Sequence, residues 1–231
     1  MGYVFAAPPQ AVVPVDGSSD LLPVHRIYCV GRNYAEHQKE MGFSGREAPF
    51  FFMKPADAVL PVPFGSVGEM PYPGETGNLH HEIELVVAIG RAGRNIAAAD
   101  AAKHIYGYAV GLDMTRRDLQ FALRDKGRPW DVAKGFDWSA PISPVKPIGV
   151  TGEITAAQIF LNVNGQRRQA SDVSKLIWSV SETIEHLSKF YELRPGDLVF
   201  TGTPEGVGAV VKGDEIEGGV AGIGTVKVRI V

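Results

Sequence analysis

Short apolar runs cut by glycine and proline dominate the chain, and few stretches show the three-to-four-residue spacing of a helix. Residues 25–30 read as a strand running into Gly31-Arg32-Asn33-Tyr34. The helix formers of 34–41 follow, with Gly42 as a stop. Pro49 and Pro55 bound a short strand, Phe50-Phe51-Phe52-Met53-Lys54. Four prolines and four glycines make 61–78 a long loop with room for one short strand. His80-His81-Glu82-Ile83-Glu84-Leu85-Val86-Val87-Ala88-Ile89 reads as one strand ending at Gly90. Residues 97–104 predict a short helix, 106–112 a strand ending at Asp113, and 115–126 a helix with Gly127 past its end. After a loop holding Pro129, Pro141, Pro144 and Pro147, the turn Asn164-Gly165 joins 159–163 to 166–169 as a hairpin. Residues 181–191 form an amphipathic helix with Ile184, Leu187, Phe190 and Tyr191 on its apolar side. Leu198–Phe200 and two strands within 213–231 complete the series.

Such a series, without regular strand–helix alternation, predicts an α+β fold: a mixed, mostly antiparallel β architecture with a few short helices. Residues 1–24 read as an extended arm, with four of the 16 prolines in the first 23 positions, and 25–231 as one domain.

Composition narrows the possible functions. A chain of 231 residues that is 45% hydrophobic can bury a sizeable core. Acidic residues number 26 against 23 basic, and no basic block appears, so nucleic acid is not an expected partner. No apolar run approaches the roughly 18 residues of a membrane span, and the first residues lack the pattern of a signal peptide. The expected location is the cytoplasm. The single cysteine, Cys29, sits within a strand pattern and reads as a small core residue.

Glu82 and Glu84 are the feature that points to chemistry. On a strand they share one face about 7 Å apart, at the edge of an apolar run. Buried like charges need compensation, and the simplest is a hard divalent cation held by oxygen: Mg²⁺, Mn²⁺ or Ca²⁺. Asp113, at the end of another strand, is the candidate third ligand, with helix capping as the alternative. His80 and His81 point to opposite faces, and Leu85 stands where a His-Glu-x-x-His zinc motif needs its second histidine. A zinc hydrolase built on them is the weaker reading. On a helix His37 and Glu40 are neighbours, able to act as an oriented base for water or simply to line a solvated face. Lys134, in an aromatic-flanked loop, can pair with a substrate anion or be solvated. The glycines of Thr201-Gly202-Thr203-Pro204-Glu205-Gly206-Val207-Gly208 allow a close approach to an anion; a plain turn is the alternative.

Six segments occur together: Gly31-Arg32-Asn33-Tyr34-Ala35-Glu36-His37, Phe52-x-Lys54-Pro55, His81-Glu82-x-Glu84-Leu85, Leu112-Asp113-Met114-Thr115, Ala133-Lys134-Gly135-Phe136-Asp137 and the 201–208 turn. In this order they resemble the fumarylacetoacetate hydrolase family from about residue 25 to the C-terminus, and within it the short acylpyruvase branch. The resemblance implies a mixed β-roll of stacked sheets, usually a homodimer. It implies Glu82, Glu84 and Asp113 as ligands of Mg²⁺ or Mn²⁺, with Ca²⁺ as a non-productive occupant. His37 and Glu40 match a water-activating dyad on a lid helix, and Lys134 a lysine near the substrate oxygens. Gln120 matches a glutamine beside that lysine, and Thr203 a residue holding the pyruvate-end carboxylate. Arg32, Lys54 and Arg117 fall in segments expected to contact substrate.

The implied activity is hydrolysis of the C–C bond of a 2,4-diketo acid, with fumarylpyruvate of gentisate breakdown as first candidate. The alternatives on the same scaffold are oxaloacetate decarboxylation and isomerisation of 2-hydroxyhepta-2,4-diene-1,7-dioate. A non-enzymatic small-acid binding protein would keep the glycine-rich turn without needing both members of the dyad.

Overall fold

Ile83–Ile89 is buried along its whole length, and its pleat serves two cores at once. The computed structural model describes residues 2–40, Glu40 by its backbone alone, and residues 46–231. Ile83, Leu85, Val87 and Ile89 enter the larger apolar cluster, while Val86 and Ala88 face a second one with Ile27, Cys29, Leu198 and Phe200. Glu84 lies two residues before Val86, at the point where the row of small apolar side chains on that face ends.

The strand belongs to an eight-stranded mixed sheet. Its path runs Phe50–Lys54, Ile27–Gly31, Leu198–Phe200, Ile83–Ile89, Ile105–Leu112, Ala140–Ile142, Val59–Pro61, and Lys146–Pro147 also pairs with Ile105–Leu112. Two of these pairings are parallel, Leu198–Phe200 with Ile27–Gly31 and Ala140–Ile142 with Val59–Pro61. A five-stranded sheet, in the order Gln166–Asp172, Gln158–Val163, Glu215–Val220, Gly224–Ile230, Gly68–Met70, contributes Leu161, Ile216 and Val228 to the larger cluster. The result is the expected mixed β-roll of stacked sheets. Asn164 and Gly165 both have positive φ, 51° and 76°, and make the tight turn between the first two strands of that sheet.

The helix Val180–Phe190 buries Ile184 and Leu187 and begins with a capping box between Ser179 and Glu182. Residues 115–126, expected as one helix, divide into a two-residue strand, Thr115–Arg116, and the helix Arg117–Arg124. Lys134, expected in a loop, ends the short helix Asp131–Lys134. At the N-terminus Val12–Pro14 and Leu21–Pro23 pair, and Val13, Val15, Leu22 and Val24 are buried in the second cluster, so the arm packs from there onward. The expected stop at Gly42 lies outside the described residues. Cys29 is fully buried, and burial pushes its thiol well up. Among the described residues no helix is long and apolar enough to cross a membrane.

One difference from the sequence pattern shapes the site. The run from 80 to 89 is two strands. Leu79–His81 lies in a three-stranded sheet between Thr115–Arg116 and Gly208–Val210, and Ile83–Ile89 lies in the eight-stranded sheet. Glu82 stands at the join, its carbonyl accepting from the Asp113 amide at 2.9 Å. Apolar periodicity does not report such a switch, because the side-chain alternation continues through it.

Candidate active site

The join at Glu82 brings three carboxylates together. Glu82, Glu84 and Asp113 are all buried, and each offers an oxygen within 4.8 Å of the others. Asp113 follows the last residue of Ile105–Leu112, the antiparallel neighbour in which Leu112 pairs with Ile83. Strand alternation thus places the first two acids, and sheet register places the third.

Three buried cations face them. Lys134 Nζ lies 2.8 Å from Glu82 Oε2 and 2.6 Å from Asp113 Oδ2, bridging the two. Arg117 Nη2 donates to Glu82 Oε1, and its Nη1 donates to Gln120 Oε1. Lys54 Nζ is 2.8 Å from Asp113 Oδ1 and also donates to the carbonyls of Met114 and Lys134. Burial alone would raise the Glu82 carboxyl, but Lys134 and Arg117 outweigh it and hold the group well below the usual carboxylate range. Burial would likewise lower Lys134, and Asp113 and Glu82 hold it above the usual lysine value.

Glu84 differs. Burial and then the charges of Asp113 and Glu82 push its carboxyl well up, against a single 2.7 Å hydrogen bond from the Gly202 amide. The local cations therefore favour the ionised form at Glu82 and leave Glu84 short of positive charge. An all-oxygen donor set of this kind, short of charge at one member, fits a hard divalent ion such as Mg²⁺ or Mn²⁺.

The cluster floors a cleft with about 520 Å³ of empty space. Of the sequence candidates, Arg32, His37, Arg117, Gln120, Lys134 and Thr203 line it together with the three acids. His37 is buried in the helix Ala35–Glu40 and close enough to Glu82 to act on its ionisation. Glu40 ends that helix, and the expectation for its side chain lies outside what the structure describes. Lys54, expected to contact substrate, does not line the cleft: its fully buried ammonium sits behind Asp113. Neither histidine joins the three-acid group, although both lie within reach of the Glu82 charge. Burial and the Arg117 charge lower His80 to about 4, and burial lowers His81, whose ring pairs with Gln169 Oε1 at 3.1 Å.

Two positioning side chains escaped the sequence reading. Gln169 is buried in Gln166–Asp172 and accepts from the Ile83 amide at 3.1 Å, while its Nε2 donates to Thr203 Oγ1 at 2.9 Å and to the Pro204 carbonyl. It ties the start of the acidic strand to the Gly-Thr-Pro turn. Asn33 Nδ2 donates to the carbonyls of Trp178 and Thr201, and Asn33 Oδ1 accepts from the Trp178 amide. Gly202, at φ 102°, lets the turn pass Asn33 closely; a Cβ there would lie 2.6 Å from that of Asn33. Asn33 lies within the segment 31–37 without a role read for it, Gln169 lies in a polar hairpin strand, and the partners of both are far away in the chain.

Comparison with known proteins places the chain in a family. A family model described as fumarylacetoacetate (FAA) hydrolase C-terminal matches residues 26–231. A fumarylpyruvate hydrolase of Ralstonia sp is 49% identical over 185 residues, covering 80% of this chain and 93% of the relative. The mitochondrial oxaloacetate tautomerase of Rattus norvegicus is 43% identical over 204 residues, covering 88% of this chain and 90% of the relative. The crystal structure of fumarylpyruvate hydrolase from Pseudomonas aeruginosa in complex with Mn²⁺ and pyruvate matches with a TM-score of 0.98 at 56% identity, covering 100% of this chain and 99% of that one. The chain belongs to the fumarylacetoacetate hydrolase family.

Proposed function

We propose that this protein is a metal-dependent hydrolase that splits the C3–C4 bond of a 2,4-diketo acid, fumarylpyruvate yielding fumarate and pyruvate. The observation that carries the reading is the cluster of Glu82, Glu84 and Asp113 facing Lys134 and His37 across one cleft. The likeness to fumarylpyruvate hydrolases supports the choice of substrate.

Glu82, Glu84 and Asp113 would hold Mg²⁺ or Mn²⁺, which supplies Lewis-acid polarisation of the substrate's carboxylate and 2-oxo oxygens. With all three acids ionised, Lys54, Lys134 and Arg117 balance them, so the loaded site carries excess positive charge and attracts a dianionic substrate. Thr203, whose oxygen accepts from Gln169, donates its hydroxyl proton to the pyruvate-end carboxylate. A ring nitrogen of His37 takes a proton from water, and the water oxygen bonds to the C4 carbonyl carbon. Glu40, three residues on in the same helix, is the proposed orienter of His37. As the C3–C4 bond breaks, its electron pair passes to C3 and the pyruvate enolate. The Lys134 ammonium donates to that enolate oxygen, placing charge where charge develops. The proton taken up by His37 passes to C3 and completes pyruvate, and the fumaryl half leaves as the acid.

The test is pyruvate release from fumarylpyruvate and acetylpyruvate, abolished by EDTA and restored by Mg²⁺ or Mn²⁺. No pyruvate from either substrate would sink the reading. Relatives that are oxaloacetate tautomerases favour a second use of the same enolate-stabilising groups, without an attacking water. Adding oxaloacetate to the panel separates the two. The same reading carries a cytoplasmic location, a role in gentisate breakdown and a homodimer, the last checked by light scattering.

A further inference from the structure

Two walls of the cleft repeat one order of side chains from its floor outward. On one, Lys134 Nζ lies 5.1 Å from the Phe52 ring centre, Phe52 packs on Trp130 at 5.7 Å, Trp130 packs on Phe50 at 5.6 Å, and the Arg32 guanidinium lies over Phe50 at 4.8 Å. On the other, the Arg117 guanidinium lies 5.7 Å from the Phe121 ring and the Arg124 guanidinium 4.7 Å from it. Lys134 and Arg117 are buried, the four rings and Arg32 are half-buried, and the Arg124 side chain is 36% exposed. Each series thus runs from a buried cation, through aromatic faces, to a more exposed guanidinium.

Both outer guanidiniums line the same cleft, together with the four rings. Burial lowers the Arg32 guanidinium, the Glu47 charge raises it, and the Arg124 charge adds a smaller lowering. Arg124 pairs with Asp125 at 2.9 Å, an exposed contact between chain neighbours and therefore a weak one. Arg32 holds a positive φ of 55°, an uncommon backbone conformation for a residue with a side chain. Gln38 Nε2 donates to its carbonyl at 3.0 Å. From Arg117 to Arg124 the helix rises about 10 Å, the length scale of a short extended diacid.

We propose that Arg32 and Arg124 form a clamp for a second carboxylate at the tail of the substrate, with Phe50, Phe52, Trp130 and Phe121 flanking a flat, conjugated spacer. The clamp rests on the hydrolase reading above and adds its substrate class: diketo acids that end in a second carboxylate, in preference to those with a neutral tail. Guanidinium is suited to the task because it stays charged, binds carboxylate through two parallel donors and stacks on aromatic faces.

The experiment compares kcat/KM for fumarylpyruvate and acetylpyruvate in the Mn²⁺-loaded wild type, Arg124→Gln, Arg124→Lys and Arg32→Gln. Acetylpyruvate presents the same reacting atoms with a neutral methyl tail. The wild type should prefer fumarylpyruvate, and each glutamine variant should lower the fumarylpyruvate-to-acetylpyruvate ratio about tenfold, the loss of one charge-assisted hydrogen bond. Arg124→Lys should restore part of that ratio. A wild type that turns over both substrates equally well, or variants that slow both by the same factor, would overturn the clamp while leaving the hydrolase standing. Loss of pyruvate release from both substrates in the wild type would instead remove the hydrolase, and the clamp with it.

Discussion

Replacing His37 by alanine removes the proposed acceptor of water's proton and leaves all three carboxylates in place. The variant is expected to lose about 10²- to 10⁴-fold in kcat, the usual contribution of a positioned base. Its Mn²⁺ affinity, read by calorimetry, should stay within about threefold, because His37 is not among the grouped oxygen ligands. Glu84→Gln should do the reverse first, weakening Mn²⁺ by more than about tenfold, the scale seen when even an outer partner of a ligand is lost. Equal metal binding by the wild type and Glu84→Gln would remove Glu84 from the ligand set. Lys54 illustrates how burial changes a residue's meaning. As a lysine in a short aromatic strand it suggests a contact with an anionic substrate, yet its ammonium is spent on Asp113 and two carbonyls behind the cleft wall. Removing one partner of such a buried pair costs about 3–5 kcal/mol, so Lys54→Met is expected to destabilise the fold, as read by Tm.

The helix Arg117–Arg124 carries Arg117, Gln120, Phe121 and Arg124 into the cleft, and its first turn is tied to the preceding loop by Asp118. That carboxylate accepts from Thr76 Oγ1 at 2.6 Å and from the Gly77 and Leu119 amides. Burial, the largest single influence, would raise it, but the hydrogen bonds together outweigh burial and hold it below the usual aspartate value. A carboxyl depressed in the folded state stabilises the fold above its unfolded value, near 4, and loses that stabilisation as pH falls through the folded one. Asp118→Asn is therefore expected to lower Tm by about 2–4 °C at pH 7, with the gap narrowing in thermal scans as pH falls below about 4, the unfolded value. A gap that stays constant through the acid range would assign the effect to packing instead. The element scale is also where the sequence pattern was most and least readable. The Glu82-x-Glu84 pair was legible because alternation is local, and Asp113 because it closes an apolar strand. The break at residue 82 was hidden because the pleat continues across it while the hydrogen-bonding partners change. Gln169 and Asn33 were hidden for a related reason: their roles lie entirely in contacts with Thr203, Trp178 and Thr201, which no spacing rule connects to them.

At the scale of the molecule, the three grouped acids lie at a boundary between layers. Leu79–His81 and Thr115–Arg116 belong to the small three-stranded sheet, Ile83–Ile89 and Ile105–Leu112 to the large one, and Glu82 and Asp113 sit in the two crossings between them. An ion drawn in by Glu82, Glu84 and Asp113 would act as a rivet through that seam. Rivet and fold then share one free energy, since the unfolded chain has no such constellation. At a hundredfold excess over Kd, Mg²⁺ should add about 2.7 kcal/mol, raising Tm by roughly 5–10 °C, an effect absent in Glu84→Gln. The seam should therefore open and lose its ion in one event, with metal release and melting coinciding in a thermal scan.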